Sequence, residues 1–398
     1  MNTLPEDIEA LFHKRLAQTS DKPYGIHLKR AEGCFVWDIN DKKYVDLVSG
    51  ISVSNIGHRH PLVINAIQRQ SEKYLHTMVF GEYVQPVQVN LADNLAKMLP
   101  EALDCSYLVN SGTEAIEAAL KLAKRHTGRS KIVSFRKSYH GSTHGSLSVS
   151  GNEEKKDAFR PLLPDVHFID LNDSHSLTVI DESAAAVILE PIQGDAGVKI
   201  PNKEYLLALR ARCTKVGAML IFDEIQCGLG RTGKMFAFEH FDVHPDILCL
   251  AKSLGGGLPI GAMISSQHIM DDFKSSPALG HITTFGGNPL SCAASIANLK
   301  VLQTEISMKE VEAKGKLFKS LLIHDKIIEL RQIGLMIAVD LESEEELSNL
   351  IDLCKDQGVI IYRFLSHPFS FRISPPLIIS DELIKQSVEV IIKCLDRL

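Results

Sequence analysis

Two patterns of apolar and polar positions alternate along the chain. Short uninterrupted apolar runs, closed by glycine or charged residues, cover 106–109, 132–135, 185–189, 218–222, 247–251 and 260–265. Such runs predict strands buried on both faces, as in a parallel sheet. Between them apolar residues return every three to four positions, which predicts amphipathic helices. These cover 61–75, 84–99, a run from 113 to about 126, 205–215, and a long one from Asn288 onward. In 84–99 the stripe is Val87, Leu91, Leu95 and Met98. Strands alternating with helices predict an α/β fold on a mixed, mostly parallel sheet.

The two ends read differently. Residues 1–20 suggest a helix with Leu4, Ile8, Leu11 and Leu16 near one face. Residues 26–48 break into short alternating pieces with turns at Gly33 and Asn40-Asp41, a small antiparallel meander. Beyond 308 comes an α+β pattern: helix over 308–323, strand character over 327–341, helix over 344–357, strands at 359–364 and 369–374, and a helix from Asp381. The charged stretch 151–160 reads as a solvated loop or helix. The expected organisation is an N-terminal segment, 1–50, packing with a small C-terminal domain, 301–398, beside a large domain, 51–300.

Composition narrows the function class. Of 398 residues 45% are hydrophobic and 23% charged, ordinary for a soluble enzyme. The formal net charge of −6 gives no reason to expect a nucleic-acid surface. The eight cysteines form no CxxC pair, so neither zinc nor a redox motif is indicated. His58 and His60 lack a third ligand and read as structural rather than as a metal site. The first residues have no signal-peptide core, and no apolar run nears the roughly 20 residues that span a bilayer. A cytoplasmic protein with no membrane partner is expected.

Candidate chemistry sits at strand ends. The stretch 218–257 holds two predicted strands, one running into Asp223-Glu224 and one ending at Ala251-Lys252. Ligands bind along that edge of an open parallel sheet. A lysine there, partly out of water, can become a nucleophile, and an aspartate can face a buried cation. A pyridinium ring held as a Schiff base on the lysine would use both. Each feature also has a plain reading: a solvated lysine, and an Asp-Glu helix start.

The pattern of these residues resembles the class III, fold-type I aminotransferases that use pyridoxal 5'-phosphate, closest to the acetylornithine, ornithine and 4-aminobutyrate group. The resemblance rests on Asp223-Glu224-Ile225-Gln226, Gly228 to Gly233, Pro245-Asp246-Ile247 and Ala251 to Ala262, and extends over nearly the whole chain. It implies Lys252 as the Schiff-base lysine and proton carrier, and Asp223 as partner of the pyridine nitrogen. Gln226 would lie near the ring's phenolic oxygen. Ser111, Gly112 and Thr113 would cradle the phosphate at a helix start, although Ser-Gly-Thr-Glu is also a plain capping sequence. Tyr139 would stack on the ring, or be an ordinary core residue, and His140 and Glu190 would complete the cofactor site. Thr284 would reach the phosphate of a neighbouring subunit, which implies a homodimer with shared active sites. Substrate contacts fall on Arg372 as carboxylate anchor, on Asp195, on Ser142 and on Thr283. Arg372 could instead be a surface ion pair. Asp195 either pairs with Arg372, in place of the usual glutamate, or is a turn residue. Ser142 stands where acetylornithine enzymes carry an arginine, which counts against that donor.

The expected reaction moves an amino group from a small-molecule amine donor to a 2-oxo acid, 2-oxoglutarate, in a ping-pong sequence. An aminomutase, a decarboxylating transaminase and a non-catalytic cofactor-binding protein are the alternatives.

Overall fold

The computed structural model describes residues 8–398. The predicted N-terminal helix is present over Ile8–Arg15; its expected first residues, including Leu4, lie outside the described residues. The meander follows as β1 (Leu28–Glu32), β2 (Phe35–Asp38) and β3 (Lys43–Asp46), with both pairings antiparallel.

The central sheet holds seven strands: β4 (Cys105–Val109), β5 (Lys131–Phe135), β6 (Val166–Ile169), β7 (Ala184–Leu189), β8 (Met219–Asp223), β9 (Ile247–Leu250) and β10 (Gly261–Ser265). Their order is β4-β10-β9-β8-β7-β5-β6, parallel except where β10 runs against both neighbours. Every residue of β5, β7, β8, β9 and β10 is buried, which explains their unbroken apolar runs. The helix Gly112–Thr127 packs Ile116, Ala119 and Leu120 into one cluster with Ile188, Ile221 and Ile247. Leu189, Leu220, Phe222 and Leu248 belong to the main core instead. The period of two thus sends alternate residues of each strand to opposite faces.

The C-terminal part contributes β11 (Glu329–Ile333), β12 (Met336–Asp340), β13 (Val359–Ile360), β14 (Tyr362–Arg363) and β15 (Ser370–Ile373). The stretch 359–364 is not one strand. β13 pairs in parallel with β3 of the meander, and β14 pairs antiparallel with β15. Fully buried Ile361 sits at the switch between the two sheets. The stretch 151–160 is mostly exposed, as expected, with one exception: Lys156 is buried, bonded to Glu153 at 2.9 Å and set over the Phe168 ring at 3.9 Å. The aromatic face and the carboxylate replace the water its charge would otherwise need. Among the described residues no helix is long and apolar enough to cross a membrane.

One arginine ties distant segments together. Arg231 is fully buried and makes no ion pair among the described residues. Its Nη1 donates to Leu335 O at 2.8 Å and Pro375 O at 2.7 Å, and its Nη2 to Asn55 Oδ1 at 2.5 Å. Burial pulls its pKa down to about 9, against the opposing charge of Asp46. Replacing it by methionine removes a buried charge but leaves these acceptors unsatisfied, each costing about 1–3 kcal/mol. Arg231→Met is expected to lose about 3 kcal/mol in urea unfolding. Unchanged stability would show that the acceptors find other donors.

Candidate active site

Three neighbouring strands end at one place. β7 is followed directly by Glu190, β8 ends on Asp223, and β9 is followed by Ala251 and Lys252. These ends border a cavity of about 520 Å³ lined by Glu190, Asp223 and Lys252 and also by Ser111, Gly112 and Tyr139. Lys252 opens a short turn, Lys252–Gly255, with φ at +46°. A left-handed backbone is costly for a residue with a side chain, and such strain collects at functional sites.

The charges are closely set. Burial lowers the Lys252 pKa, and Arg372 lowers it further, while Asp223, Asp195 and Glu190 oppose the shift. Burial raises the Glu190 carboxyl well above its ordinary range, and Asp223 and Asp195 add to this. Lys252 and the Tyr139 N–H act the other way. Asp223 is fixed from two sides. His140 Nδ1 donates to its Oδ2 at 2.7 Å, and the Ile225 N–H to its Oδ1 at 3.1 Å. The His140 N–H donates in turn to Ser150 Oγ at 3.0 Å.

Another part of the lining is a helix start. Ser111 is the N-cap of Gly112–Thr127, its hydroxyl accepting from the Glu114 N–H at 3.3 Å. The first N–H groups of a helix have no intrahelical acceptor and carry the positive end of its dipole. Gly112 is closely approached: a Cβ there would lie 2.8 Å from Ile225 Cδ1. Gly141, at φ +132°, lets the next loop come against Thr113, where a Cβ would stand 2.4 Å from its Oγ1. Thr113 Oγ1 contacts Ser146 Oγ at 2.6 Å and Thr143 Oγ1 at 2.7 Å, and Thr143 donates to Glu117 at 2.5 Å.

Most expected site residues are therefore brought together: Ser111, Gly112, Thr113, Tyr139, His140, Ser142, Glu190, Asp223, Gln226 and Lys252 all line the cavity. The Tyr139 hydroxyl lies 3.3 Å from Ser142 Oγ. Arg372 and Asp195 are absent from the lining but form a buried pair, Nη2 to Oδ1, at 2.7 Å. The shorter aspartate thus reaches the arginine directly, and both readings of Asp195 hold: it pairs with Arg372 and sits in a turn closed by the Gly197 N–H donating to Gly194 O at 3.1 Å.

Thr283 and Thr284 are not among the cavity-lining residues. Thr283 Oγ1 accepts from the Gly286 N–H at 3.0 Å and from Asn110 Nδ2 at 3.3 Å, so its hydroxyl serves its own turn. Thr284 is exposed. His58 bonds Asp46 at 2.7 Å and His60 reaches Glu305 at 3.5 Å, so the two histidines serve different carboxylates.

Sequence reasoning missed the bonding roles of two residues. Glu224 is buried and accepts the Ala237 and Phe238 N–H groups at 2.6 and 2.7 Å, which fixes the turn after β8. Burial raises its pKa to about 8 against these bonds. His140 stood among the cofactor contacts without its partner. The bond to Asp223 spans 83 residues, and no local pattern marks it.

Comparison with known proteins places the chain. The family described as Aminotransferase class-III matches residues 16–395. An acetylornithine aminotransferase of Methanopyrus kandleri is 42% identical over 81% of this chain and 82% of that protein. A [LysW]-aminoadipate semialdehyde/glutamate semialdehyde transaminase of Sulfolobus acidocaldarius is 36% identical over 92% of this chain and 94% of its own length. The solved ornithine aminotransferase of Toxoplasma gondii superposes with a TM-score of 0.91 at 33% identity, covering 98% of this chain and 95% of that one. With Lys252 and Asp223 at adjacent strand ends and a family match from 16 to 395, this chain belongs to the class-III aminotransferases.

Proposed function

We propose that this aminotransferase uses pyridoxal phosphate to move an amino group from an ornithine-, acetylornithine- or 4-aminobutyrate-like donor to 2-oxoglutarate in two half-reactions. The observation that carries the reading is the convergence of Lys252, Asp223 and the helix start at Ser111 on one cavity. The residues fit the cofactor. Glu190 Oε2 and His140 Nε2, both on cavity-lining residues, are buried without a hydrogen-bond partner. The exposed N–H groups at Gly112 and Thr113 suit a phosphate.

When bound, pyridoxal phosphate supplies an electron-accepting ring that stabilises negative charge on the carbon losing its proton. Asp223, oriented by His140, would hold the ring's N–H; Tyr139 would cover one face; Ser111, Gly112 and Thr113 would hold the phosphate. Lys252 would hold the cofactor's carbonyl carbon. Once displaced by the donor, its amine would move the proton at the substrate carbon, a role helped by its lowered pKa. Arg372 would take a substrate carboxylate, a group that guanidinium can clamp with two parallel bonds.

Ser142, neutral and paired with Tyr139, leaves its side of the cavity without a cation. That favours ornithine- or 4-aminobutyrate-like donors, whereas the name of the Methanopyrus relative points to acetylornithine.

The reading includes a second copy of the chain. Leu75, Met78, Tyr83, Val84, Leu279, Ile282 and Phe285 are all exposed, Val84 at 90%. Apolar exposure on that scale marks a contact surface, and Thr284 lies in the same stretch.

Lys252→Ala is expected to lose the visible absorption band of lysine-bound cofactor and to reduce turnover by at least about 10³-fold, the scale of losing positioned proton transfer and covalent attachment. Activity that persists without Lys252 would contradict the reading. Shared sites make a separate prediction. Thr284→Ala and Lys252→Ala proteins, each impaired alone, should recover up to about half the wild-type specific activity per intact lysine site after unfolding and refolding together, as in any exchange that yields mixed closed dimers. No recovery would argue against Thr284 serving a neighbour.

A further inference from the structure

The Asp195–Arg372 pair is incompletely satisfied. Arg372 Nη1 and Asp195 Oδ2 are buried without partners. Arg372 is held independently of Asp195. Its Nε donates to Arg363 O at 3.3 Å, its guanidinium lies 4.3 Å from the Phe364 ring centre, and its backbone is fixed in β15 opposite Ala338. A substrate carboxylate that takes Arg372 with two parallel bonds must displace Asp195 from Nη2, so what holds Asp195 bears on the outcome.

Asp195 is held by a second loop. The Leu365 N–H donates to its Oδ1 at 3.4 Å, and the Ser366 N–H to its backbone carbonyl at 3.3 Å. The two loops are joined outside the cavity. Arg331 Nε donates to Gly197 O at 2.6 Å, on the Asp195 loop. The same guanidinium clamps Asp340 with bonds of 2.8 and 2.6 Å. His367, on the other loop, donates Nε2 to Asp340 Oδ2 at 3.0 Å. All three side chains are largely buried, at 11%, 7% and 13% exposure. Despite burial, the bonds from His367 and Arg331 hold the Asp340 carboxyl well below its usual range.

We propose that Arg331, Asp340 and His367 form a clasp that holds Asp195 against Arg372 and so sets how readily a substrate carboxylate gains the arginine. These are positioning residues: they touch neither cavity nor substrate, and act through Asp195. The inference rests on the reading of Arg372 as carboxylate anchor. A tight clasp disfavours donors that carry a carboxylate on the reacting carbon and favours those that present a terminal amine. The strand register and the Phe364 contact keep Arg372 in place when the clasp is loosened.

The test uses cofactor-loaded protein and glutarate, an unreactive dicarboxylate, with binding measured by calorimetry. Loss of the His367 bond in His367→Ala should tighten glutarate binding about fivefold, the scale of one hydrogen bond. His367→Gln, which keeps an N–H donor, should restore the wild-type value. In an Asp195→Asn background, where the competing charge is gone, His367→Ala should have no further effect. A general loosening of the fold would act in both backgrounds. Unchanged binding in His367→Ala, or a shift that persists with Asp195→Asn, overturns the clasp alone. Wild-type protein that takes no glutarate overturns the carboxylate anchor, and the clasp falls with it.

Discussion

A lysine amine held half out of water, among three carboxylates and an arginine, is the constraint on which the site depends. Lys252 could not be kept so without the sheet. β8 and β9 are buried along their whole length and bonded in register, with Asp223 opposite Cys249. That pairing brings the aspartate and the lysine to one edge. Burial then works in two directions. It favours a neutral Lys252 and a protonated Glu190, while Asp223 is held by His140 and the Ile225 N–H. Burial thus lowers the lysine's pKa and raises that of Glu190 in one cavity, and a lowered lysine pKa suits proton transfer at a carbon.

The remainder of the molecule supports that edge. Glu224 locks the turn after β8, Arg231 fastens the segment at Asn55 to Leu335 and Pro375, and Glu117 orders the hydroxyls around Thr113. Each is a charged group buried or partly buried to serve backbone, amide or hydroxyl partners. Such groups are costly to bury and tolerable only when well bonded. Glu224 and Glu117 brace the turns next to the cavity-lining Asp223 and Thr113.

What could be read from the sequence follows from the range of each interaction. Strands such as β7, β8 and β9 announce themselves because burial on both faces leaves unbroken apolar runs, and their ends locate Glu190, Asp223 and Lys252. The N-cap at Ser111 is local and equally visible. Pairs made across the fold are not. Asp195 and Arg372 lie 177 positions apart, so a pair and a turn residue looked alike in sequence. Buried Lys156 sits in a run of charges that reads as solvated, because the Phe168 ring that covers it comes from the next strand. The stretch 359–364 gives no local sign of changing sheets, since its first partner, β3, lies near the other end of the chain. Glu224 and Arg231 carry no local signal of their distant partners.

The central claim is that Lys252 and its surroundings form a working amino-transfer site. The most direct measurement is the visible absorbance of the cofactor-loaded protein, titrated with one amine at a time and no acceptor. Ornithine, acetylornithine, 4-aminobutyrate and glutamate form the first set. The account predicts that glutamate and at least one terminal amine convert the lysine-bound chromophore to the amino form of the cofactor, and that 2-oxoglutarate then restores it. A chromophore that forms but that none of these amines bleaches would contradict amino transfer at this site.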